Sequence, residues 1–172
     1  TNTLDAPNGF DHVRFHLFLD TPETQGADVA PSLHLTMPVG FAYDYVAAVD
    51  GWNKALYTAD GADAANLGTP AESAPQVTVD GSTVTLRFEA ALGSPQDLSA
   101  VKVYVATWDW DNEAGSLRGL TPEASATTFG GGDGATDPLV IDDALVGAYS
   151  SYRSPVVPTL QVALTLEVTD PA

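Results

Sequence analysis

The chain has no cysteine among its 172 residues, which excludes a disulfide scaffold, a thiolate metal site and a thiol nucleophile. Basic residues are scarce: six in all, only two of them lysine (Lys54 and Lys102), against 23 acidic ones, for a formal charge of −17. A field of that sign repels nucleic acid and anionic membranes, so neither is expected as a partner. No apolar run approaches the roughly 20 residues that carry a helix across a bilayer, so no membrane insertion is expected. The opening TNTLDAPNGF has neither methionine nor a basic n-region and reads as a mature or excised segment. Catalytic signatures are missing too. There is no G-x-S-x-G, and GGGDG at 130–134 lacks the G-K-[ST] ending and the helical pattern of a phosphate loop. No catalytic residue is assigned.

What is present is enough apolar material for a core, 44% hydrophobic against 17% charged, and one domain over residues 1–172 is expected. The acids are dispersed, from Asp5, Asp20 and Asp28 through Asp44, Asp60, Asp80 and Asp97 to Asp133, which predicts an acidic surface rather than a tail. Such usage resembles that of salt-adapted proteins or of secreted proteins from high-GC bacteria.

Apolar residues alternate with period two in short segments bounded by Gly, Pro, Asp and Asn. In HVRFHLFLD, Val13, Phe15, Leu17 and Leu19 share one face and His12, Arg14, His16 and Phe18 the other, the pattern of a half-buried strand with solvated histidines. Those two histidines lie roughly 13 Å apart along a strand, too far to share a metal. Strands are also predicted over 32–37, 41–49, 160–168 and in KVYVATWDW, with a hairpin turning at Asp80-Gly81. A single short helix fits only residues 142–153, where Gly147 weakens it, and residues 59–75 read as a connector. The fold class is therefore all-β, an antiparallel sandwich of jelly-roll or immunoglobulin-like type.

Candidate chemistry collects at the end of KVYVATWDW. Val101, Val103 and Val105 take the core face with Thr107 and Asp109, which puts Tyr104, Trp108 and Trp110 together on the opposite side. These rings either pack beneath a covering element or form an aromatic platform, since an indole face matches the C–H face of a pyranose. Trp52, after Asp50-Gly51, is a third candidate of the same two kinds. Asp109, Asp111, Asn112 and Glu113 supply closely spaced hard oxygens of the sort Ca²⁺ takes, although they do not match an EF-hand. A solvated acidic loop is the ordinary alternative.

Taken in order, GFDHVRFHLFLDTP, FAYDYVAAVDGW, VTVDGSTVTLRFEAALG, VYVATWDWDNEAGSLRGL and FGGGDGATDPLVIDDAL resemble the C-terminal β-sandwich module of bacterial glucodextranase and related amylopullulanase modules over about residues 8–146. The resemblance implies a non-catalytic, secreted or cell-surface module that binds an α-glucan or another surface polysaccharide. The family usually carries strands ahead of the GF segment, whereas here an extra strand, within 159–169, follows the matching part. That strand is expected to complete the sandwich in permuted order or to serve a neighbouring copy. The competing expectation is accordingly a structural surface protein, a layer or filament subunit that self-associates by strand exchange. A hydrolase ranks third.

Overall fold

The computed structural model describes residues 2–22, 26–89, 100–111, 115–125, 128–133, 135, 142–146 and 159–165. The chain is all β. In order, its strands are β1 (Val13–Asp20), β2 (Val29–Ala30), β3 (Leu35–Thr36), β4 (Tyr45–Val49), β5 (Lys54–Thr58), β6 (Thr69–Pro70) and β7 (Gln76–Asp80). There follow β8 (Thr83–Glu89), β9 (Lys102–Asp111), β10 (Ser116–Leu117), β11 (Gly119–Leu120), β12 (Thr128–Phe129), β13 (Asp142–Val146) and β14 (Thr159–Thr165).

The large antiparallel sheet runs β9-β1-β4-β5-β6, with β10 and β13 sharing the outer edge of β9. A second antiparallel sheet, β14-β8-β7, packs against it. Val84, Leu86 and Phe88 of β8 meet Leu17, Leu19, Val49, Val103 and Val105 in the layer between the sheets. The tight turn predicted in that hairpin is present as a two-residue loop, Gly81-Ser82, with Gly81 at φ +57°.

The other face of the large sheet is buried as well. Residues 27–43, threading through β2, the 3-10 turn Pro31–Leu33 and β3, lay Leu33, Leu35, Met37, Phe41 and Tyr43 over Phe18, Val46, Tyr104 and Trp108. This second cover revises the reading of β1 as half-buried. Residues Phe15 to Leu19 are all buried, His16 included, because β1 lies between β9 and β4 and has a hydrophobic layer above and below. Only His12, of the two histidines expected in solvent, is exposed.

Two further segments depart from their periodicity. The stretch 41–49 is not one strand: Phe41 and Tyr43 belong to the covering segment and pack in the second core, whereas Ala47 and Val49 face the first. The phase changes at Asp44, whose buried carboxylate accepts from the Thr21 N–H and hydroxyl, both at 2.6 Å. In 142–153, where a helix was the alternative, residues 142–146 are a strand paired from Asp142↔Thr107 to Val146↔Val103. The outer edge of β9 supplies five ladder partners there, which a weak helical pattern of five residues cannot match. Residues 147–153 lie outside the described residues.

The acidic surface also needs one amendment. Asp11, Asp44 and Asp50 are buried, and each carboxylate accepts from backbone N–H: Asp11 from Thr3 and Leu4, Asp44 from Thr21, and Asp50 from Trp52 and Asn53, where it closes a turn.

Candidate functional site

Antiparallel register sets three residues side by side across the large sheet where β4 ends and β1 begins. Arg14 lies opposite Trp108 on β9, and on its other side it reaches Asp50, just past β4. The Arg14 Nη2 and Nε atoms donate to one oxygen of Asp50 at 2.6 and 3.2 Å, while the guanidinium carbon sits 3.8 Å from the centroid of Trp110. A weakly hydrated planar cation is suited to this double duty, as an ion-pair donor in its plane and a stacking partner on its face.

Asp50 is fully buried, and its second oxygen organises the β4–β5 turn. It accepts from the backbone N–H groups of Trp52 and Asn53, at 2.9 and 2.8 Å, and from the Asn53 amide at 3.2 Å. The N-terminal segment holds the turn from the other side: Asn8 donates its backbone N–H to the Gly51 carbonyl at 2.9 Å and its amide to the Asp50 carbonyl at 2.7 Å. Gly51 is required here because a Cβ would run into the Phe10 carbonyl oxygen and lie 2.8 Å from the Ala6 methyl. The outcome is a stiff turn whose tip carries Trp52, 40% exposed, beside the exposed Asn53 and Lys54.

The predicted aromatic set is therefore divided. Trp108, Trp110 and Tyr104 do share one side of β9, as their spacing requires, but that side is covered and none offers a ring face to solvent. Their exposures are 0, 6 and 3%. Trp108 meets the His16 ring edge-on at 5.2 Å, Tyr104 packs on Phe18 and Phe41, and Trp110 is capped by Arg14. As a platform for a sugar these three are corrected to core residues. Trp52 remains the exposed tryptophan, connected to Trp110 through Asp50 and Arg14.

The acidic set does not come together among the described residues. Asp109 is paired with Arg118 at 3.0 Å, so a guanidinium already occupies one of the oxygens a cation would need. Asp111 ends β9, and Asn112 and Glu113 lie outside the described residues. Among the described residues no three His, Cys, Asp or Glu side chains are grouped to hold a metal.

His16 is neutral at ordinary pH. Burial, and secondarily the positive charge of Arg14, push its pKa down to about 3, and Nδ1 has no hydrogen-bond partner among the described residues. At Asp11, burial by itself pushes the pKa up. The Thr3 hydroxyl and N–H and the Leu4 N–H more than offset it, so the net direction is down.

The pattern of the C-terminal binding module of glucodextranase, described as SLH-like, matches residues 1–153. The chain belongs to that family. The match extends beyond the 8–146 read from motifs, and the site just described, from Asn8 to Trp110, lies wholly within it. Glucodextran_C modules are binding modules and not catalytic domains, and no helix among the described residues is long and apolar enough to cross a membrane. β14 falls beyond the matched residues. No curated relative and no solved structure matches the chain.

Arg14, Asp50, Asn53 and Asn8 were not singled out by sequence reasoning. The string D-G-W-N did carry a local signal, an Asp placed to accept from N–H groups two and three residues ahead. Arg14 and Asp50 are 36 residues apart, and no sequence pattern announces that pairing.

Proposed function

We propose that the protein is a non-catalytic, extracellular binding module for a surface polysaccharide, an α-glucan first, and that Trp52 is its stacking residue. The observation that carries the reading is the exposed indole on a turn braced by a fully buried aspartate. A ring held this way loses little conformational entropy on binding, and Asn53 and Lys54 next to it supply hydrogen-bond donors for sugar hydroxyls. Arg14 and Asp50 act at one remove, as positioning residues.

Native affinity electrophoresis through starch, pullulan and dextran tests this directly. Retardation by at least one of the three is expected, and Trp52→Ala should weaken it tenfold or more, equivalent to about 1.4 kcal/mol, with an unchanged melting temperature. Equal retardation of Trp52→Ala and the natural chain would remove Trp52 from the site. Absence of retardation in all three gels would remove the α-glucan.

A further inference from the structure

We infer that Asn8 is a site of spontaneous self-modification, and that its conversion to aspartate or isoaspartate irreversibly releases the β4–β5 turn that carries Trp52. Of the five asparagines in the chain (Asn2, Asn8, Asn53, Asn66 and Asn112), only Asn8 precedes a glycine. With no side chain on the following residue, the Gly9 backbone nitrogen reaches the Asn8 amide carbon unhindered. That nitrogen loses its proton and bonds to Cγ of Asn8; the Cγ–Nδ2 bond breaks, and ammonia leaves with a proton. Water then opens the five-membered imide at either carbonyl. The product is aspartate or, with the main chain rerouted through the side chain, isoaspartate, and no reactant other than water is consumed.

The folded chain guards this step, and its product undoes the guard. The Gly9 N–H donates to the Ala6 carbonyl at 2.9 Å, while Nδ2 of Asn8 donates to the carbonyls of Asp50 at 2.7 Å and Asn53 at 3.3 Å. Both reacting groups are thus engaged elsewhere, and Gly9 packs against Val79 with no room for a Cβ. Cyclisation requires residues 6–9 to leave the β4–β5 turn, a local opening whose population sets the rate. After conversion the turn cannot close as before. A carboxylate has no hydrogen to donate, so its oxygens meet the Asp50 and Asn53 carbonyl oxygens where an N–H stood. Isoaspartate also adds a main-chain carbon between the Asn8 N–H, which donates to the Gly51 carbonyl, and the Gly9 N–H. Both products therefore strike the brace of the turn next to Trp52, and the consequence for sugar binding rests on the reading of Trp52 as the stacking residue.

The test needs no sugar, so its outcome and that of the polysaccharide reading are separate. The full-length chain is held at mildly alkaline pH in buffer and in guanidinium chloride, and conversion at each asparagine is followed by peptide mass mapping. Asn8 is expected to convert first in guanidinium, and at least about tenfold more slowly in buffer. Equal rates at Asn8 in the two solvents, or another asparagine ahead of it in guanidinium, overturns the assignment. Partly converted chains are then refolded and resolved by anion exchange on the added negative charge. The fraction converted at Asn8 alone is expected to melt several degrees below the unconverted chain, or to fail to refold beside it. Melting of that fraction at the unconverted midpoint overturns the release of the turn.

Discussion

Trp52 and Trp108 are the same residue type with opposite assignments, and substitution should separate them. Trp108→Ala removes a fully buried ring from the layer with Phe18 and Tyr43, and a loss of about 3–5 kcal/mol is expected in denaturant unfolding. Trp52→Ala should leave that midpoint in place. His16 gives a pH prediction whose sign follows from its depressed pKa. The unfolded chain takes up a proton below about pH 6.5, whereas the folded imidazole resists protonation down to about 3. Stability is therefore fully present above about pH 6.5 and is lost as the pH falls towards 3, by an amount on the order of 4 kcal/mol. His16→Leu, which cannot titrate, should gain on the natural chain as the pH is lowered from 7 to 4. Parallel stability curves for the two proteins would show that the buried imidazole does not set the pH response.

At the scale of elements, the β4–β5 turn works as a unit. Asp50 closes it, Arg14 neutralises Asp50, and the close approach to residues 6–10 excludes a side chain at position 51. Asp50→Ala leaves the Trp52 and Asn53 N–H groups without their acceptor and Arg14 without its counter-ion. A loss of roughly 2–4 kcal/mol is expected by urea unfolding, since Arg14 is partly in contact with water. Gly51→Ala should displace the turn against the Phe10 carbonyl, cost about 1–3 kcal/mol, and weaken polysaccharide binding although no contact residue has changed. Unaltered binding by Gly51→Ala would mean that the rigidity of the turn is irrelevant to Trp52. The Asp109–Arg118 pair is of another kind: both side chains are partly exposed, and its loss should change stability by at most about 1 kcal/mol.

For the molecule as a whole, the formal charge of −17 dominates the solution behaviour. That sum already counts the six cations, and among the described residues Arg14 is paired with Asp50, Lys102 with Asp20 and Arg118 with Asp109. The remaining acids repel one another over a distance of about 10 Å at 0.1 M salt, and about 3 Å at 1 M. Calorimetric melting in sodium chloride should therefore show a midpoint that rises by several degrees between about 0.1 and 2 M, steepest below 1 M. A midpoint independent of salt would place the surface acids too far apart to matter.

Much of the fold was legible because it rests on local periodicity and on turn chemistry. The alternation in residues 13–20, 83–89 and 102–111 identified β1, β8 and β9, and Gly81 marked its hairpin, since side-chain direction in a strand depends only on parity. Parity also placed Tyr104, Trp108 and Trp110 on one side of β9. What lies over a face is set by distant chain, and that was decided only by the tertiary structure. Residues 27–43 cross the sheet and turn an apparent aromatic platform, and a strand with two supposed surface histidines, into a second core. The same holds for the Arg14–Asp50 pair and for the edge of β9 that draws residues 142–146 into a strand. Composition alone determined the absence of thiol chemistry and the sign of the field. Which tryptophan meets solvent depended on long-range burial, because an indole gains free energy from any apolar cover the fold brings to it.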